Sequence, residues 1–216
     1  TLFWRSVWLS LATTALTFTF GFPTAWFIAT RPAQQRAMWL FLITIPFWTS
    51  YLIRVFLWKV ILGYNGVVNS GLMSLGIIDE PLTFILYNVN AVVLTLAHAY
   101  APFAILPIFV ALEKIDRSLL EAGRDLGESK LMTFWRVTLP LAMPGVLAGS
   151  MLVFIPAVGD FINADYLGSP QTTMIGNVIQ KQFLVVKDYP AAAALSLGLM
   201  FIILIGVLLY TRALGT

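Results

Sequence analysis

Cysteine is missing from all 216 residues, which removes disulfides, thiolate catalysis and cysteine–metal sites and leaves no mark of the compartment's redox state. Charge is scarce as well. Asp, Glu, Lys and Arg make up 11% of the chain, against about 25% in a soluble domain. There is one histidine, His98, and a single imidazole cannot build a metal site, so no metal is expected. No G-x-x-x-x-G-K-S/T occurs, so the chain cannot form a P-loop or hold ATP in that manner. H-E-x-x-H and G-x-S-x-G are absent too, and the acidic residues of the charged loops are interleaved with basic ones. No catalytic residue is expected, and the chain is not read as an enzyme. The thirteen Lys and Arg are spread around apolar stretches and make no basic stripe for nucleic acid.

What is present is apolar surface. Apolar residues make up 59% of the sequence, which places it among membrane proteins before any motif is considered. Five stretches, at 8–30, 38–58, 91–112, 142–162 and 191–210, are near the roughly 20 residues needed to cross the hydrocarbon core. The expected fold is all-α, a polytopic transmembrane helical bundle forming one domain over residues 1–216. Pro23, Pro46, Pro102, Pro107, Pro144 and Pro156 fall inside these stretches. A proline there frees a carbonyl that a neighbouring helix or water must satisfy. The helices either pack around a path or simply kink, and both readings stay open. For His98 in the third span, a hydrogen-bonded structural role stands beside a functional one. Residues 67–78 and 173–186 look helical without spanning and are expected at the outer surface.

The loops set the orientation. Residues 30–37 carry Arg31 and Arg36, and residues 113–139 carry Lys114, Arg117, Arg124, Lys130 and Arg136. Residues 63–90 have no Lys or Arg and contain Asp79 and Glu80. By the positive-inside rule the two basic loops are cytoplasmic, so the chain starts outside and Arg212 lies inside. Lys181 and Lys187 then fall in the last external loop.

The basic loop at about 113–139 contains Glu121-Ala-Gly-Arg-Asp-Leu-Gly-Glu-Ser-Lys130 and then Leu131-Met-Thr-Phe-Trp-Arg-Val-Thr-Leu-Pro140. Ser118 and Glu121 have capping-box spacing, which predicts a helix start at Ser118. Gly127 supplies a left-handed turn to stop that helix. Ser129 caps a second helix, which Pro140 is expected to end. A charged helix pair between two membrane spans suits docking onto another protein at the membrane surface.

Glu121-Ala122-x-x-x-x-Gly127, closed by Leu139-Pro140, resembles the EAA loop of ABC-importer permease subunits. The third residue is commonly Ala and here is Gly123, a small-for-small change. The resemblance implies that Glu121, Ala122, Gly123, Asp125, Leu126 and Gly127 form a cytoplasmic coupling helix that seats on an ATPase. Its rival is a self-contained channel or secondary carrier, which explains the spans but leaves this loop without a purpose.

At the outer end of the fourth span stand Asp160 and Asp165, with Phe161 and Tyr166 close by. Carboxylates pair with ammonium groups and aromatic faces attract them, so this set suits an extended cation. The alternative is that both carboxylates simply cap the loop or sit in water. Arg54 and Lys59 argue against a cation unless they snorkel to headgroups or pair with Asp79 or Glu80.

Pro46-Phe-Trp-Thr49 with Leu52-Ile-Arg54, the loop from Leu120 to Gly127, and Met174-Ile-Gly-Asn-Val-Ile179 with Gln182-Phe-Leu184 are similar to spermidine/putrescine-type importer permeases. This implies half of an ATP-driven translocation pathway for polyamines in a prokaryotic inner membrane. Trp48 and Tyr51 join Asp160, Phe161, Asp165 and Tyr166 as candidate pathway residues. Another organic cation, an amino-acid-like solute or an opine is the alternative substrate. The implied partners are a second permease, two ATPase copies, an extracellular binding protein and membrane lipid. No cofactor is expected in this chain, with ATP and Mg held by the ATPase. Such permeases usually have six spans. Five spans and an external start at Thr1, without an initiator Met, lead to the expectation that the chain begins after the first.

Overall fold

The computed structural model describes residues 2–214, and among them no strand is present. The helices are α1 (Leu2–Ala29), α2 (Ala33–Thr44), α3 (Tyr51–Leu62), α4 (Val67–Ser74), α5 (Val89–Glu113), α6 (Arg117–Asp125), α7 (Lys130–Thr133), α8 (Leu139–Val158), α9 (Ile162–Leu167), α10 (Ile175–Lys181) and α11 (Tyr189–Leu214). Five helical stretches are long and apolar enough to cross a membrane: Leu2–Ala29, Tyr51–Ser74, Val89–Glu113, Lys130–Val158 and Tyr189–Ala213. The number matches expectation and three of the spans fall near the expected places. The second does not.

Residues 38–58 are not one helix. Pro46 has no N–H to continue the α-ladder, so α2 stops at Thr44 and Ile45–Trp48 tightens into a 3₁₀ turn. Thr49 is then extended, at φ −89° and ψ 140°, and α3 starts afresh at Tyr51. The second long apolar stretch is α3 continued into α4, broken between Leu62 and Val67. The fourth starts earlier than expected. Pro140 does not end the loop's second helix, because a π-turn at Phe134–Thr138 carries the chain straight into α8.

The chain divides into two compact units. One takes residues 14–51 and 97–153. Its core is Ala25 and Ile28 of α1 against Ile105, Ile108 and Phe109 of α5, with Phe22 and Val146 packed on it. Here α5 and α8 come very close. A Cβ at Gly145 would lie 2.5 Å from the Pro107 carbonyl oxygen and 2.6 Å from the Ala111 Cβ, and one at Gly149 would lie 3.2 Å from the Ala104 Cα. Small residues four apart let two membrane helices make backbone contact, where packing rather than hydrophobicity holds them together. An Arg36–Glu113 ion pair of 3.0 Å ties the start of α2 to the end of α5.

The other unit takes residues up to 13, 52–96 and those from 154 onward. Leu9 of α1, Ala164 of α9 and Met174 form its buried cluster, with Val93 of α5 packed on it. Asn69 of α4 is wholly buried. Its Nδ2 donates to the carbonyls of Gly63, Tyr64 and Leu82, and its Oδ1 accepts from the Leu82 N–H at 2.9 Å. That one side chain ties the break between α3 and α4 to the irregular segment before α5. Only 6% of the α11 span is buried in this chain, so its apolar surface is left for lipid or another subunit.

The Gly145 contact gives a direct test. Gly145→Val is expected to lower the stability of the detergent-solubilised protein by about 1–3 kcal/mol through overpacking against α5. Gly198→Ala in α11, where an added Cβ meets nothing within 4 Å, should leave it unchanged or slightly raised. Thermal unfolding of both variants in one detergent is the measurement.

Candidate functional site

The charged loop folds as two helices around a tight turn. Asp116, not Ser118, caps α6: its carboxylate accepts from the Ser118 N–H at 2.9 Å. The expected start at Ser118 is therefore displaced, because a carboxylate two residues upstream competes for the same free N–H. The hydrogen bonds from Ser118 hold the Asp116 carboxyl below its ordinary value of 3.8. Gly127 has φ +84°, the left-handed turn expected of it, and Ser129 caps α7 by accepting from Met132 N–H at 3.2 Å.

Of the sequence-identified loop residues, Glu121, Ala122, Asp125, Leu126 and Gly127 are exposed and Gly123 is buried. Gly123 lies under Thr133, where an added Cβ would sit 3.4 Å from Thr133 Cγ2. Glu128 closes the turn, with its N–H on the Gly123 carbonyl at 3.1 Å and its Oε1 accepting from Arg136 at 2.9 Å. Around this frame Leu119, Leu126, Leu131, Met132 and Trp135 are exposed, Leu126 at 85%. Leu131, Met132 and Trp135 fall in the Lys130–Val158 stretch, whereas Leu119 and Leu126 lie outside every span and are uncovered by their own chain, the kind of apolar surface that suits contact with a partner. Sequence reading singled out Leu126 and missed the other four. Their signal was an apolar residue every few positions in a charged loop.

The loop's second half holds Phe134, whose ring centroid lies 4.8 Å from Trp26 and 5.7 Å from Phe22, both on α1. In the π-turn the Leu139 N–H donates to the Phe134 carbonyl. Pro140, having no N–H, leaves the Arg136 carbonyl without its usual helical donor.

The acidic pair lies in the other unit. Asp160 is buried, at 7% exposure. Its carboxylate accepts from the Asn163 N–H at 3.0 Å and lies 3.4 Å from the same residue's Nδ2. Asp165 is exposed, and its Oδ1 accepts from Asn177 Nδ2 at 2.5 Å. Asn177 also donates to the Phe161 carbonyl and accepts from the Met174 N–H, joining α10 to the chain around α9. Asn163 and Asn177 were not singled out from sequence. Amides among apolar neighbours must find partners when buried, and that was the available signal.

The aromatic candidates separate. Phe161 lines an apolar groove of about 510 Å³ with Gly159, Gly176, Ile179, Phe183 and Met200. The Tyr166 ring lies 4.9 Å from that of Phe56 and is tilted against it by 54°, and the Lys59 ammonium stands 6.0 Å from Tyr166 and 5.8 Å from Tyr87. Lys59 thus faces tyrosine rings, at the limit of cation–π range. Tyr51 lies 6.5 Å from Tyr100, and Trp48 is 82% exposed on its 3₁₀ turn. Both belong to the 14–51 and 97–153 unit, apart from the four at the end of α8.

Residues 3–213 match the family described as binding-protein-dependent transport system inner membrane component. The spermidine/putrescine transport system permease protein PotB of Escherichia coli is 42% identical over 209 residues, covering 97% of this chain and 76% of that protein. Its namesake from Haemophilus influenzae is 40% identical over 210 residues, covering 97% and 73%. Among solved structures, a bacterial alginate ABC transporter in complex with a pentasaccharide-bound periplasmic protein superposes with TM-score 0.76 at 21% identity, covering 98% of this chain and 78% of that one. The MetNI methionine ABC transporter in an inward-facing form superposes with TM-score 0.69 at 17% identity, covering 97% and 91%.

The loop geometry makes two expectations. Gly123→Ala should be tolerated and strengthen α6 by about 0.5–1 kcal/mol, since the added methyl meets Thr133 at an ordinary contact distance. Gly127→Val should weaken the turn by about 1–3 kcal/mol through its positive φ. Amide hydrogen exchange of α6 reads both. The same measurement tests Asp116. With a folded pKa below the unfolded one, its cap is fully present above 3.8 and lost as pH falls through the depressed value. Faster exchange at Ser118 in strong acid, and at neutral pH in Asp116→Ala, is the expected result.

Proposed function

This chain belongs to the family of binding-protein-dependent transport-system inner-membrane components, and from that premise we propose that it forms half of the translocation pathway of a polyamine importer. Residues 1–216 act as one permease domain alongside a second permease. Two copies of a separate ATPase hold ATP and Mg, and an external binding protein delivers the solute. The observation that carries the coupling role is the capped, closed helix pair between two apolar spans, with an exposed apolar rim. Such a piece is stiff, lies outside the hydrocarbon, and offers a surface that only another protein completes.

Its residues divide by position. Glu121, Ala122, Asp125, Leu126 and Gly127 form the exposed seat, and Gly123 is buried where α6 meets Thr133. Glu121 pairs with a basic group of the ATPase. For the solute, the identity to spermidine/putrescine permeases over 97% of the chain supports a polyamine. Asp165 is the exposed carboxylate beside Tyr166 and offers an ammonium both charge and ring. Asp160, bonded to Asn163, keeps the α9 turn in place behind it. Phe161, Trp48 and Tyr51 provide apolar and aromatic lining. On the cytoplasmic side lie Gln35 and the loop, and Ser70 faces outward.

Uptake of labelled spermidine by the reconstituted assembly tests the substrate. Asp165→Asn is expected to reduce it roughly ten-fold, the loss of one charge-assisted hydrogen bond, and Tyr166→Ala should reduce it less. Wild-type vesicles that import no polyamine would discard the substrate and leave the permease. Coupling is tested by Glu121→Lys, which should abolish stimulation of ATP hydrolysis by loaded binding protein while the chain still inserts. Orientation is tested with single cysteines in this cysteine-free chain. In intact cells an impermeant thiol reagent should label Ser70→Cys and spare Gln35→Cys.

A further inference from the structure

We infer that Phe134 is the joint through which the coupling loop moves α1, an inference that rests on the permease reading above. The loop up to Thr133 is one stiff piece. Gly123 is buried against Thr133, the Glu128 N–H bonds the Gly123 carbonyl, and Ser129 caps α7. A load on its exposed face is therefore passed along rather than absorbed within it.

Phe134 follows immediately. Its ring meets Phe22 edge-on, at 5.7 Å and 86°, and Trp26 at 4.8 Å and 40°. Phe22 and Trp26 sit four residues apart on α1 and touch each other at 6.3 Å, so Phe134 bears on one face of that helix. Phe22 in turn packs on the core made by Ala25, Ile28, Ile105, Ile108 and Phe109. The next residue, Trp135, is 58% exposed and takes no such part. The planar ring offers both α1 side chains a large, rigid contact area at low conformational-entropy cost.

The backbone at this point is built to give. Phe134–Thr138 is a π-turn, the irregularity that often marks functional positions in helices. Pro140 removes the donor that would regularise it. A stiff lever, a compliant turn and an aromatic contact onto a core helix thus come together at one residue. Phe134 is a positioning residue. It touches neither nucleotide nor solute.

The test uses the whole reconstituted importer and reads two quantities, ATP hydrolysed with loaded binding protein and solute imported. In Phe134→Ala the ATPase should stay bound and hydrolyse ATP, while solute imported per ATP falls roughly ten-fold with loss of the two ring contacts. Phe134→Leu, which keeps apolar volume if the alanine variant fails to assemble, should show the same fall, and Phe134→Trp should restore most of it. Trp26→Ala should match Phe134→Ala, and the double variant should be no worse than either, because both break one joint. An unchanged ratio in Phe134→Leu, additive losses in the double variant, or loss of the ATPase from the complex would each overturn the joint. A wild type whose ATP hydrolysis ignores the binding protein would overturn the permease reading and this role with it. A stimulated wild type with unaltered variants would overturn the joint alone.

Discussion

Hydrocarbon offers a backbone amide nothing to bond to, and every departure from a straight helix in this chain has to answer that constraint. Six of its eleven prolines lie in the apolar stretches first read as spans, and each removes a backbone donor. The responses differ by place. At Pro46 the chain tightens into a 3₁₀ turn and leaves the helix at Thr49. Ahead of Pro140 it loosens into a π-turn and stays helical. Side-chain hydroxyls satisfy their own helices as well. Ser10 bonds the Ser6 carbonyl at 2.7 Å, Thr24 that of Phe20 and Thr95 that of Ala91, back-bonds that give a polar side chain an acceptor on its own helix.

The same constraint explains how the helices are held. Lipid tails are as apolar as the side chains, so hydrophobicity does not draw one span to another, and close packing must. Gly145 and Gly149 bring α8 onto α5 within backbone contact. Phe134 sets the loop against α1. The loop itself is made by the opposite chemistry. Outside the membrane, caps, a left-handed glycine and an ion pair are enough to shape nine residues of α6 and the turn after it. The family match settles the class in favour of a permease over a self-contained channel or carrier.

At the far end of α8 the polar groups serve each other first. Asn163 lies against Asp160, and Asn177 binds Asp165, the Phe161 carbonyl and the Met174 amide. Such a network gives a short helix like α9 a definite position although six residues cannot hold one alone. It also sorts the two carboxylates, which look equivalent as letters. One is turned inward to an amide and the other stands at the surface.

The sequence by itself determined the all-α class, the number of spans, the loop between the third and fourth, and the Gly127 turn. Each rests on a local cause: apolar run length, charge placement, or a residue that accepts positive φ. The tertiary structure decided where the second span breaks, that Asp116 rather than Ser118 caps α6, and that the chain passes through Pro140. Those outcomes are competitions between neighbours for one donor or one turn, and a residue's type does not say which neighbour wins. The Gly145 contact with Pro107 and the seating of Phe134 on Phe22 and Trp26 depend on distances across more than thirty positions of chain. No spacing along the sequence encodes them. They exist only once helices bring those atoms within a few ångströms.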